Sequence, residues 1–346
     1  MDYEELAQVS VPPDKKAKLR AYRGVCAKLG FTMCVYFICR ILNGYIAAAL
    51  SGLVDQMGIT PVYIIHTAIT VAMAYLIPML VTALVFKTFD NYRGRYRELY
   101  KKPRRLAHAL GNFPAMYGLG YGVVVLTILS LYLISNVSNG PEFIEDLFRP
   151  TALQPSSDIA STLIMVVLLA VIAPVFEEFW VRGIIYDSLK PYGCGMAIII
   201  SSVLFGLMHG NLRMLFYTTA LGFALGYIRY ATGSLFVVTI LHSITNSIAA
   251  LLLFFLSLSE ITGGENKAVN TVMNIYILAV LILIVVGVIA FIRKVPVIRK
   301  YRIENTWDEI RAGKKTALFF FSIPVIIMLV FAFNEHANNW LLNLII

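Results

Sequence analysis

The sequence predicts an all-α, polytopic helical membrane protein, and three observations carry that prediction. Of 346 residues, 59% are hydrophobic and only 14% are charged, whereas soluble domains run near a quarter charged. The mean hydropathy is correspondingly high, at +0.75. The apolar residues gather into runs of about 20, the length of a bilayer-crossing helix. The net charge of +9 sits in short segments between those runs, which marks topology rather than a polyanion-binding surface. A nucleic-acid partner is therefore not expected.

The runs place candidate spans at residues 29–54, 61–86, 113–137, 157–189, 194–210, 212–230, 233–256, 271–292 and 316–334. Residues 1–28 are polar, with Pro12-Pro13 and a basic cluster, so the first span itself is expected to direct insertion. The fourth run is too long for a perpendicular helix and should tilt or continue beyond the bilayer. The terminal HANNWLLNLII is too short to cross and suits the interface.

The loops support this count. Lys15, Lys16, Lys18, Arg20, Arg23 and Lys28 precede the first span. Basic residues from Lys87 to Arg105 follow the second, and Arg293 to Lys315 follow the eighth. The alternate loops carry Asp55, then Glu142, Glu145 and Asp146 with a lone Arg149, then Glu260 and Glu265 with a lone Lys267. Alternating sides accommodates all of them with the N-terminus in the cytoplasm. The organisation is then a basic segment (1–28), N-terminal membrane helices (29–154), an ionisable core (155–256), and C-terminal helices with a tail (257–346). Cys26, Cys34, Cys39 and Cys194 lack CxxC spacing, so neither a disulfide framework nor a thiolate zinc site is expected.

The core breaks the apolar pattern. PVFEEFWVRG places Glu177, Glu178 and Arg182 in the fourth span, SSVLFGLMHGN places His209 at the end of the fifth, and TILHSITNSIAA places His242 and Asn246 in the seventh. Glu178 and Arg182, Phe205 and His209, and His242 and Asn246 are each i, i+4 and share a helix face. Glu177 points about 100° away from Glu178, so the two acids have different neighbours. Taken singly, each residue suits structural hydrogen bonding or an ion pair between helices. Ionisable groups gathered on three neighbouring spans mark function instead. His66 and Arg40 are read as structural, and Gly222 and Gly226 have the spacing of a close helix contact.

EExxxR at 177–182, FxxxH at 205–209 and HxxxN at 242–246, in that order on successive helices, resemble the CPBP family, the CAAX-protease and bacteriocin-processing (Abi) group. The resemblance covers about 70 residues inside 155–256, and its best-understood type is the Ras-converting type II CAAX prenyl endopeptidase. It implies about eight to nine transmembrane helices around an intramembrane polar cavity. It also implies an intramembrane endopeptidase in which Glu177 activates water and His209 holds and polarises that water. By the same resemblance His242 and Asn246 aim donors at the oxyanion, Glu178 is tied to Arg182, and Phe205 packs beside them.

The residues themselves agree that amide hydrolysis has a base and donors here, and no Ser or Cys carries a flanking His and Asp for covalent catalysis. Glu and two His could instead ligate zinc; without an HExxH pair a metal-free glutamate mechanism is preferred, with a zinc-dependent version as the alternative. The implied partners are a peptide or protein substrate, lipidated or not, and the lipid bilayer. The expected location is a bacterial plasma membrane. A non-catalytic scaffold or immunity protein and a proton-coupled transporter are the rival readings. One difficulty stands: parity puts Glu177 toward the cytoplasmic side and His209 toward the other. The fourth span must tilt, or the fifth must end within the membrane.

Overall fold

In a computed structural model, residues 14–86, 100, 101, 103, 106–138, 158–210, 212–300 and 311–332 are described, and among them all regular structure is helical. The principal helices are α1 (Lys15–Ser51), α2 (Ile59–Val85), α3 (Phe113–Ser138), α4 (Ile159–Tyr192), α5 (Cys194–Leu207), α6 (Leu212–Thr232), α7 (Leu235–Ile261) and α8 (Lys267–Lys300). A broken α9 follows, Gly313–Phe320 and Ile323–Ala332, bent by 69°. Most of the basic and acidic loops, and the C-terminal HANNWLLNLII, lie outside the described residues.

By length and composition α1, α2, α4, α7 and α8 can each cross a membrane, and α9 makes a sixth if the bent pair counts as one span. The chain is thus an integral membrane protein. Helices stand at all nine expected positions, but α5 has only 14 residues. Its rise of about 21 Å falls short of the ~30 Å hydrocarbon core. α5 therefore turns within the membrane, against α4 and α6, instead of crossing alone.

Two apolar clusters hold the bundle. Tyr22, Cys26, Leu29, Met33 and Phe37 recur at helical spacing on α1 and pack against Trp180 and Ile184 of α4, Ile200 and Leu204 of α5, and Phe319 and Met328 of α9. The second cluster joins Met116 of α3 to Leu221 and Leu225 of α6 and to Val238 and Leu241 of α7. α8 keeps Ile275, Leu278, Leu281 and Val285 exposed along its length, the surface expected of a helix facing lipid. It meets α3 at Gly118 and Gly287, where a Cβ on Gly118 would run into the Gly287 backbone.

α2 lies beside α4 and runs in the same direction. Thr60 donates to Asp158 (2.8 Å), Tyr75 to Glu177 (3.2 Å), and Trp180 Nε1 to Thr82 (3.0 Å), so contacts advance in the same order along both helices. The second and fourth spans share a direction, as alternation requires. Asp158 is the N-cap of α4, accepting from the Ser161 amide at 2.8 Å and its hydroxyl at 2.5 Å. The Ser161 hydroxyl, then its amide, then Thr60 hold the Asp158 carboxyl below the ordinary carboxylate range.

Two outcomes follow. Gly118→Leu forces α3 and α8 apart and should cost about 1–3 kcal/mol of stability, read as a lower thermal midpoint in detergent. Gly122→Ala, whose Cβ would meet only the flexible end of Val288 at 3.4 Å, should be tolerated. Asp158 titrates lower when folded, so its contribution is complete above the unfolded carboxylate range, near pH 4, and is lost as pH falls through the folded value. Thermal midpoints of wild type and Asp158→Asn should differ at neutral pH and converge toward pH 3.

Candidate active site

The seven motif residues come from α4, from α5 and the turn that follows it, and from α7. Glu177 and His209 stand sixteen residues on either side of Gly193, the glycine at φ 137° that turns α4 into α5. Equal helical runs from one turn bring both to about the same height in the membrane. The early end of α5 thus resolves the parity difficulty, by the second of the two routes.

Glu178 and Arg182 are fully buried and paired through Oε1 and Nη1 at 2.8 Å. His242 Nδ1 lies 2.8 Å from the same Oε1, within hydrogen-bond range. Arg182 Nη2 donates to the Gly222 carbonyl of α6 at 3.2 Å. Its guanidinium lies over the Phe205 ring of α5 at 4.4 Å, a cation–π contact strengthened by exclusion of water. Gly222 permits this approach, since a Cβ there would press on the Ser202 backbone at 3.1 Å and Arg182 at 3.3 Å. The Gly222/Gly226 face is thus a packing surface for α5.

Glu177 keeps different company. Its Oε1 accepts from Tyr75, and its Oε2 faces His242 Nε2 at 3.7 Å. That oxygen is buried and makes no hydrogen bond among the described residues. His242 therefore stands between the two acids, one ring nitrogen toward each. Phe205 sits edge-on to both His242 (5.5 Å) and His209 (4.9 Å). His209 Nδ1 is 2.8 Å from the Phe205 carbonyl, which leaves Nε2 for other work. His209 also lies within electrostatic range of His242, Arg40 and Arg182.

Asn246 is placed differently from a free donor: its Nδ2 donates to the Leu169 carbonyl of α4 at 3.0 Å. One amide hydrogen remains for another acceptor. His66 lies apart from the cluster, near Thr70 and Asn43 in the α1–α2 contact. Arg40 instead approaches the site, with Nη1 3.4 Å from the hydroxyl of Tyr36, which in turn donates to the Met208 carbonyl.

Sequence reasoning missed Tyr75. It lies on α2, far from the motifs, in a π-helical turn (Ala72–Leu76). The other π-helical turns, Leu168–Ile172 and Phe179–Ile185, supply the Leu169 carbonyl and Arg182. All three π turns among the described residues therefore border the cluster, where such turns commonly mark function.

Among the described residues no group of three His, Cys, Asp or Glu is placed to hold a metal ion, and His242 Nδ1 is engaged with Glu178. A separate cavity of ≈ 510 Å³ between α3, α5 and α6 is lined by apolar residues such as Leu119, Val203 and Phe223, with no motif residue among them.

These features define an integral membrane protein with a buried Glu–Glu–Arg–His cluster between successive helices. Residues 159–248 match the type II CAAX prenyl endopeptidase Rce1-like family, about a quarter of the chain. Over 90 residues the chain is 29% identical to a Bacillus subtilis (strain 168) protein described as "Putative membrane peptidase YdiL". The match covers 26% of this chain and 37% of that relative, so it spans little more than a third of the relative's length. No solved structure matches.

Glu178→Gln leaves Arg182 buried without its counter-charge, at a cost of about 3–5 kcal/mol. Glu177→Gln retains an oxygen for Tyr75. The first variant should lose far more folded yield and thermal stability than the second, as read by size-exclusion profile and thermal midpoint.

Proposed function

We propose that this chain is an intramembrane endopeptidase of the CAAX type. It hydrolyses a peptide bond near the C-terminus or membrane-proximal part of a peptide or protein substrate, using water activated by Glu177. The observation that carries this reading is the asymmetry of the acids. Glu178 is committed to Arg182 and His242, whereas Glu177 presents Oε2, without a hydrogen bond among the described residues, toward His242 Nε2.

In this mechanism Glu177 takes a proton from water held beside it and His209, and the hydroxide attacks the scissile carbonyl. The carbonyl oxygen becomes an oxyanion, stabilised by protonated His242 Nε2 and the remaining Asn246 amide hydrogen. Glu177 then returns its proton to the departing amine as the C–N bond breaks. Water supplies both new bonds, OH to the acyl carbon and H to nitrogen. No step passes through a metal. The lysines that open α1 support a cytoplasmic N-terminus, and the Bacillus relative supports a bacterial plasma membrane. Whether the substrate carries a lipid is decided by the assay below.

The test is proteolysis by the purified, reconstituted chain against prenylated and unprenylated C-terminal peptides, beside Glu177→Ala. The variant should lose about a hundredfold or more in rate, the scale of a general base. No cleavage by folded wild type of any peptide in the panel would count against the reading and favour a scaffold. A chelator should leave the rate unchanged, and a loss restored only by added zinc would replace the metal-free mechanism with the zinc-dependent one.

A further inference from the structure

We infer that Tyr75 of α2 is a positioning residue for Glu177, fixing one carboxylate oxygen so that only the other meets the reacting water. The inference rests on the reading of Glu177 as the general base. It lies outside the matched segment, since α2 ends well before residue 159.

A glutamate's terminal torsion is broad and two-fold, so an untethered carboxylate offers either oxygen at random. Here the oxygens are distinguished. Oε1 accepts from the Tyr75 hydroxyl at 3.2 Å, while Oε2 faces His242 Nε2 and has no hydrogen bond among the described residues. The tyrosine is itself held. Its ring stacks on Phe176, the residue preceding Glu177, at 5.7 Å and 23°.

The backbone is arranged to aim it. Tyr75 sits in the π-helical turn Ala72–Leu76, whose extra residue per turn rotates the helix face relative to a regular α-helix. On either side, Thr60 is tied to Asp158, and Thr82 to Trp180. α2 is thus pinned to α4 above and below Tyr75, which fixes its rotation where the hydroxyl meets Glu177. Tyr36 and Arg40 of α1 lie within electrostatic range of the same hydroxyl. The plain alternative is that the bond serves only as interhelical glue, which predicts lost stability and no specific kinetic effect.

The experiment compares full-length wild type, Tyr75→Phe and Glu177→Gln in detergent. Three readouts are needed: kcat and KM on a cleaved peptide, the thermal midpoint, and the infrared carboxyl band that disappears in Glu177→Gln. Tyr75→Phe should lower kcat about ten- to a hundredfold, the worth of one hydrogen bond to a charged group. KM should stay within about twofold, the midpoint should hold, and the Glu177 band should move. Phe176→Leu, which keeps the hydroxyl but removes its stacking partner, should show a smaller kcat loss of the same kind and serves if Tyr75→Phe does not fold. An unmoved band, or a lower midpoint with kcat unchanged, overturns the inference. If wild type cleaves nothing yet the band still moves, the tether is real and the general-base reading beneath the inference is what fails.

Discussion

The buried Glu178–Arg182 pair is the constraint on which the rest of this structure depends. Taking two charges out of water costs several kcal/mol each after relaxation, and an i, i+4 contact on one helix does not offset that alone. The remaining satisfaction comes from other helices. Phe205 of α5 offers its ring face, Gly222 of α6 its carbonyl, and His242 of α7 a ring nitrogen. One ion pair therefore fixes the relative height and rotation of four consecutive helices. In a bilayer no hydrophobic drive presses helices together, so polar contacts of this kind carry unusual weight in specifying the arrangement. Gly222 shows the cost of that precision, because any side chain there would displace either Ser202 or the guanidinium.

The same contacts show what the sequence could and could not reveal. Helix positions were legible because apolar runs have a length scale set by the bilayer. The Glu178–Arg182 pairing was legible because both ends lie on one helix, where spacing alone sets the distance. His242 toward Glu178 was not, since periodicity assigns a residue to a face but leaves the rotation of that face against its neighbours open. Asn246 illustrates the same limit: its spacing from His242 is helical, yet its amide reaches the Leu169 carbonyl. Tyr75 was hidden twice, by distance in sequence and by a π-helical turn that breaks the 3.6-residue rule used to assign faces. Arg40 was read as structural, and nothing in α1 alone could show that it lies near His209.

The depth of the site follows from helix length rather than from tilt. α5 stops at Leu207, and Tyr36 of α1 accounts for part of the reason: its hydroxyl donates to the Met208 carbonyl at 2.6 Å. A carbonyl freed at a helix end inside hydrocarbon needs such a donor. Supplied with one, the chain can end the helix in mid-membrane and present His209 there. The requirement of satisfied backbone groups and the requirement of a histidine at the height of Glu177 are met by a single tyrosine.

Charge balance gives the cluster its chemistry. Two carboxylates and one guanidinium leave one negative charge in an apolar surround, where an uncompensated charge is expensive. In the proposed mechanism a proton on His242, whose Nε2 stands 3.7 Å from Glu177 Oε2, offsets that charge, supplies a donor for the developing oxyanion and leaves Glu177 as the base. The proton that Glu177 then takes from water is matched by the negative charge on the oxyanion, so site and substrate together keep the same net charge until that proton passes to the departing amine. Glu178 and Arg182 make this possible by remaining fixed as a compensated pair. Under the proposed mechanism this division gives each of the two adjacent glutamates its own task, one as base and one as the fixed partner of Arg182.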